Sequence, residues 1–278
     1  MFILKPKHTL ETLAFLEQEP IETVFLRGLI RRLGLALDER QGRYLGTRGA
    51  DEALSGVLLM SRLVVPCVSS PDVARTFGEE VSRSELPIRN IVGRRETVMH
   101  LWEAMANRRP QPRLIRDRQP VYWLREDEFQ PVEHVAGLRR ASLRDLDLVV
   151  TSGAAMMLEE VEEDPLAERP DEYRRFVRDR VLRGDEYVWI DREGLCFKCN
   201  VSSRTRDAAQ IEGVYTPPAR RRQGFALKGM SSLCRRLLRE IPCLCLYVND
   251  FNRPAIRLYE QLGFQHSIDF QSLFFPPA

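Results

Sequence analysis

Apolar positions along the chain fall into two successive runs of elements with the same coarse order. In the first half, helical spacing predicts helices over residues 9–16 and 21–33, and residues 53–68 carry two apolar strands split by Ser61-Arg62. Residues 71–81 and 96–106 read as further helices, and Val121-Tyr122-Trp123-Leu124 as a strand. In the second half, residues 141–157 contain a helix built around Leu143, Leu146, Leu148 and Val149, followed by an acidic stretch at 158–165. Residues 171–182 form the next helix, with Tyr173, Phe176 and Val177 on its apolar side and Gly184 as its stop. Residues 187–190 and 195–201, joined by a turn at 191–194, read as an antiparallel hairpin, and 210–216 as the strand after it. Residues 224–239 form an amphipathic helix, with Ala226, Met230, Leu233, Cys234 and Leu237 in its stripe and Lys228, Arg235, Arg236 and Arg239 outside. A buried strand at 243–248, a helix starting near Asn252 and a last strand at 267–275 complete the order.

The most informative junction is Arg221-Arg222-Gln223-Gly224-Phe225-Ala226, where a strand ending at Pro217-Pro218 gives way to a helix. Backbone N–H groups point outward at such a turn, the helix dipole adds partial positive charge, and Gly224 places no Cβ in the way of an approaching phosphate. The arginines 220–222 add mobile positive charge suited to a pyrophosphate. The Gly-Lys-Ser/Thr ending of a nucleotide-binding loop is missing, and no G-x-G-x-x-G follows an early strand, so those two phosphate-binding plans fit less well.

Downstream, Asn252, Ala255, Tyr259, Gly263 and Phe264 make the pattern N-x-x-A-x-x-x-Y-x-x-x-G-F. With R-x-x-G-x-A at Arg221, Gly224 and Ala226 about thirty residues earlier, this segment resembles the GNAT superfamily of acyl-CoA-dependent N-acetyltransferases over roughly residues 136–278. The resemblance implies an α/β (α+β) GNAT fold, a mixed, mostly antiparallel sheet flanked by helices. It also implies acetyl-CoA as acyl donor, with the pyrophosphate on Arg221, Arg222, Gln223, Gly224, Phe225 and Ala226. Val214, Tyr215 and Thr216 would offer main-chain groups to the pantetheine arm and the thioester oxygen. Tyr259 aligns with the tyrosine that protonates the departing thiolate, although a tyrosine beside Ala255 and Leu262 also suits simple packing. Asn252 would hold the cofactor arm or cap the last helix.

Glu212 lies on the same strand face as Val214 and Thr216, which makes it a general-base candidate or else a surface strand residue. Glu159 and Glu160 follow the first helix of this half, where they would attract a cationic amine or form a solvated acidic turn. The resemblance implies as acceptor a primary amine of an unidentified small molecule, peptide or protein. A non-catalytic acyl-CoA-binding or regulatory protein, and a tandem-GNAT acetyltransferase of thiol biosynthesis, are the alternatives.

The first half repeats the element order without the motifs. Its turn Ser69-Ser70-Pro71 lacks arginines and a loop glycine, and Leu101-Trp102-Glu103-Ala104 lacks the asparagine and tyrosine. This resembles bacterial GNAT proteins with a degenerate GNAT-like N-terminal domain, here residues 1–131, ahead of a catalytic domain at 132–278. Arg108-Arg109-Pro110-Gln111-Pro112 is an alternative linker.

Composition narrows the partners. A chain of 278 residues can bury two moderate cores, and a net charge of +2 makes no case for nucleic acid or an anionic membrane. No apolar run is long enough to span a bilayer, so a cytoplasmic location is expected, with a homodimer left open. The six cysteines lie mostly in apolar patterns and suit reduced thiols. Cys196 and Cys199 could pair with Cys243 and Cys245 as a zinc site, but neither pair has the tight turn such sites use, and His8, His100, His134 and His266 are scattered. No metal is expected.

Overall fold

Val57-Leu58-Leu59-Met60 is an unbroken apolar run because the strand that carries it is covered on both faces. Val57 and Leu59 pack with Leu16, Leu26 and Ile30, whereas Leu58 and Met60 pack with Phe77, Val81, Val98 and Leu101. The computed structural model describes residues 1–38 and 42–276, and these divide into two units.

The first unit contains β1 (Phe2–Ile3), α1 (Thr9–Leu16), α2 (Val24–Leu33), β2 (Gly42–Arg48), β3 (Leu54–Ser61), β4 (Leu63–Val68), α3 (Pro71–Arg83), β5 (Asn90–Arg94), α4 (Arg95–Met105) and most of β6 (Leu114–Arg125). The second unit contains β7 (Leu138–Arg140), α5 (Leu146–Val161), α6 (Pro165–Glu168), α7 (Pro170–Arg183), β8 (Glu186–Asp191), β9 (Gly194–Arg204), β10 (Ala209–Tyr215), α8 (Phe225–Leu237), most of β11 (Cys243–Tyr247) and α9 (Arg253–Gln261). The last strand, β12 (Gln265–Phe274), lies almost wholly in the first unit, where Phe270 to Phe274 pair antiparallel with Arg94 to Asn90 of β5. The sequence ranges 1–131 and 132–278 are single cuts, whereas the second unit spans 123–246 and 253–265.

Strand order is β1-β2-β3-β4-β5-β12-β6 in the first unit and β11-β10-β9-β8-β7 in the second. In each unit three antiparallel strands lead to a helix, a parallel strand and another helix, so the fold is a mixed sheet with flanking helices in a tandem, GNAT-like arrangement. One feature recurs in both. β4 and β5 pair only at Leu63–Asn90 and Val64–Ile91, and β10 and β11 only at Ala209–Leu244 and Gln210–Cys245. Beyond those positions the third strand of each unit has no ladder partner on that side among the described residues.

In the second unit α5 and α7 bury Val149, Val150, Ala154, Tyr173, Val177 and Val181 against Val188 and Tyr215. α8 covers Phe197, and it approaches so closely that a Cβ at Gly229 would lie 2.5 Å from the Phe197 ring. Tyr173, Val177 and Val181 follow the four-residue ridge of α7, which leaves Phe176 off the stripe. Phe176 is therefore 53% exposed, contrary to its expected place on the apolar side, and the Arg180 guanidinium lies 5.2 Å from its ring. Leu143 is likewise exposed, in a 3-10 turn ahead of α5. Among the described residues no helix is long and apolar enough to cross a membrane.

Gly263 ends α9 with φ +93°, and a Cβ there would collide with the Glu128 carbonyl oxygen. Left-handed strain and backbone overlap together should make Gly263→Ala less stable by about 2–4 kcal/mol. Urea unfolding of the two proteins measures this, and a difference below about 0.5 kcal/mol would contradict the packing described.

Candidate functional site

β10 does not alternate regularly to its end. Glu212 is opposite Asn200 and Tyr215 opposite Lys198, so three steps on β10 match two on β9 and one residue is extra. Gly213, at φ +62°, takes the kink, and the Asn200 amide sits so close beneath it that a Cβ would strike Oδ1. The bulge corrects the expected common face of Glu212, Val214 and Thr216, because Glu212 now shares its face with Tyr215. Gln210 Nε2 donates to Glu212 Oε1, and Tyr215 is buried against α5 and α7. The unladdered edge of β10 thus runs through Ile211 to Tyr215, ending at a buried Thr216 hydroxyl that has no hydrogen-bond partner among the described residues.

The loop that follows is a 3-10 turn at Pro218–Arg220, then Arg221 to Gly224. Arg222 has φ +60° and Gly224 φ +81°, and Gly224 is the N-cap of α8. No side chain caps this helix and no acidic residue stands in its first turn, so the outward N–H groups of that turn remain available to an anion. A Cβ at Gly224 would meet nothing within 4 Å, which is the open approach that a phosphate requires.

Arg220 does not supply the mobile charge expected of it. Its side chain is only 11% exposed and pairs with Asp191 and Glu193 at the β8–β9 turn. It also lies 3.2 Å from Cys196 Sγ and 4.5 Å from the Phe225 ring, which in turn packs edge-on against Trp189 at 5.0 Å. Gln223 Nε2 donates to the Ala219 carbonyl (3.1 Å), so Arg220, Gln223 and Phe225 shape the loop while Arg221 and Arg222 are exposed. Ala226 lies in the first turn of α8 and is half-buried.

Glu159 and Glu160 lie in the last turn of α5 and not beyond it, because the helix continues to Val161. Glu159 joins the loop through an ion pair with Arg221 Nη2 (2.6 Å), and Arg221 Nε donates to the Thr216 carbonyl (3.0 Å). Tyr259, on α9, is 5% exposed and packs edge-on against Phe264 at 5.7 Å. Burial raises its phenol pKa above the usual value, with the Glu160 carboxylate acting in the same sense, so the hydroxyl keeps its proton at neutral pH. Asn252 immediately precedes α9 in sequence and groups with the first unit, its N–H donated to the Asn249 carbonyl at 2.9 Å.

Residues 42–149 match a domain of unknown function (DUF4081), and residues 154–264 match the acetyltransferase (GNAT) family. Residues 154–264 thus form a GNAT-family domain, almost all of it within the second unit. The whole chain is similar in fold to a GNAT-family acetyltransferase from Colwellia psychrerythraea, at 11% identity and a TM-score of 0.62 over 99% of each chain. A Drosophila protein is similar at 14% identity and a TM-score of 0.68, over 100% of this chain and 99% of its own. A tandem GNAT protein from the clavulanic acid biosynthesis pathway is similar at 15% identity and a TM-score of 0.56, over 98% of this chain and 96% of its own. No curated protein matches the chain.

The first unit differs at the corresponding positions. Pro66, in β4, has no N–H to give, and its ring lies within van der Waals reach of Gly93 on β5. At the start of α3, Ser70 Oγ accepts from the Val73 N–H, Pro71 occupies the first turn and Asp72 adds negative charge there. An anion has no comparable seat at that helix.

The GNAT domain also holds a polar cluster that the sequence pattern did not single out. Lys198 and Asn200 share a face of β9 with Glu186 and Val188 of β8, inward towards α5 and α7. Arg180 Nε bonds Glu186 Oε1 at 3.0 Å, and Lys198 Nζ is 4.0 Å from Glu186 Oε2. Burial lowers the Lys198 pKa, opposed by the Glu186 charge. The only signal in the sequence is the alternation in Cys196-Phe197-Lys198-Cys199-Asn200, where two polar residues repeat at period two inside an apolar run.

Proposed function

We propose that the GNAT domain transfers the acetyl group of acetyl-CoA to a primary amine. The observation that carries this reading is the uncapped, glycine-opened start of α8 next to an edge of β10 and a Thr216 hydroxyl that have no partner among the described residues. Those groups fit a ligand with a pyrophosphate at one end and an amide-containing arm that can lie along a strand. When bound, acetyl-CoA supplies an activated thioester acyl group.

The residues divide the remaining work. Arg221 and Arg222, with the N–H groups from Gly224 to Ala226, would hold the pyrophosphate, and the main chain from Val214 to Thr216 would hold the arm and polarise the carbonyl. Tyr259 holds a proton in a buried position suited to a departing thiolate. Glu212, set at the bulge on the face towards α5, is the candidate to receive the proton of the amine. Glu159 and Glu160, in the last turn of α5, add negative charge on the acceptor side. A purely acyl-CoA-binding role would leave Tyr259 and Glu212 without work, and turnover decides between the two readings.

A panel of primary amines, polyamines and peptides with acetyl-CoA, followed by release of free thiol, tests the proposal. Acceptor-dependent thiol release is expected for at least one amine class. CoA binding with no acceptor-dependent turnover across the panel would support the binding-protein reading instead.

A further inference from the structure

Arg221, an arginine proposed for the pyrophosphate, already has an anion. Its Nη2 lies 2.6 Å from Glu159 Oε2, its Nε is fixed to the Thr216 carbonyl, and its guanidinium stands 5.7 Å from the Tyr215 ring. The partner is a carboxylate in an unfavourable place. Glu159 and Glu160 occupy the last turn of α5, the negative end of the helix dipole, and no basic residue of that turn offsets them. Arg221 therefore belongs to the anion-binding loop ahead of α8 and at the same time pairs with the negative end of α5.

We propose that Glu159 is an internal competitor for the cofactor phosphate, holding Arg221 in the free protein and surrendering it when CoA binds. This rests on the reading of the α8 loop as the CoA site. The exchange is energetically easy, because the side chains are 44% and 43% exposed and an exposed ion pair contributes at most about 1 kcal/mol. A pyrophosphate at the helix start makes charge-assisted bonds to the same guanidinium and also meets the uncapped N–H groups, so it outcompetes a single carboxylate. Once released, Glu159 presents a carboxylate without this cation at the negative end of α5. That charge arrangement favours a positively charged acceptor, so cofactor binding would prepare the acceptor side.

Calorimetric titration of CoA into the full chain tests the exchange, using Glu159→Gln and, as a control for net charge, Glu162→Gln. Glu162 is exposed and lies just past the end of the same helix. Removing the competitor should tighten CoA by about two- to fivefold at low ionic strength, with the gain shrinking as salt screens the pair. Glu162→Gln should match the wild type. If Glu159→Gln binds CoA no more tightly than Glu162→Gln, or more weakly, Glu159 is not a competitor and the exchange is overturned. If the wild type itself fails to bind CoA, the assignment of the loop fails first, so the two failures are distinguishable.

Discussion

Tyr259→Phe should lower turnover with acetyl-CoA by about a hundredfold, the low end of what a positioned proton donor contributes, while CoA affinity changes by less than about twofold. The substitution keeps the ring that packs on Phe264 and removes only the hydroxyl, so the core around α9 is preserved. Burial keeps the phenol protonated, and the residue can therefore give a proton at neutral pH without first having to gain one. Steady-state kinetics with a reactive amine, alongside CoA titration, separate the two effects. Unchanged kcat would remove Tyr259 from the chemistry, leaving it a packing residue if CoA affinity is also unchanged and a binding residue if CoA affinity falls.

The second large effect is expected at Gly224. Gly224→Val places a branched side chain at φ +81° in space that the fold leaves empty, so the folded chain loses conformational ease without a collision. The same space is where a phosphate would approach the first turn of α8, and CoA affinity should fall by at least tenfold. Gly34 supplies a matched control, because it too has positive φ, at +76°, with nothing within 4 Å of a Cβ. Gly34→Val should cost stability and leave CoA binding intact. Equal CoA affinity in folded Gly224→Val and wild-type protein would exclude the α8 start as the phosphate seat.

The contrast between the two units has a local physical origin. Both third strands part from their parallel neighbour after two paired positions, but only the second unit leaves the start of the following helix without a side-chain cap. In the first unit Ser70 accepts from the Val73 N–H and Asp72 adds negative charge to the first turn of α3. Two residue choices, Ser70 and Asp72, thus separate a helix start that can accept an anion from one that cannot.

Much of this was legible in the sequence because it depends on short-range pattern. The apolar runs of β3 and β4, the hairpin of β8 and β9, the helix of α8 and the loop Arg221 to Ala226 all declare themselves within a few residues. β2, β5 and β7 did not, since Gly42 to Arg48 mixes two glycines and two arginines, and Asn90–Arg94 and Leu138–Arg140 are too short to show a period. The bulge at Gly213 was hidden because it is defined by register against β9 and not by any residue of β10 alone. Arg220 was misassigned for a similar reason: its partners Asp191 and Glu193 are nearly thirty positions earlier, and only the fold brings them to it. The assignment of β12 to the first unit also depends on pairing with β5, more than 170 residues away in sequence.

The most direct test of the account is the stoichiometry and location of CoA binding by the full chain. Isothermal titration should show one CoA per chain in the wild type, with binding weakened by Gly224→Val and unaffected by Ser70→Ala, which removes only the cap of α3. Two CoA molecules per chain, or a single site that ignores Gly224→Val, would contradict the assignment of the live cofactor site to the GNAT domain.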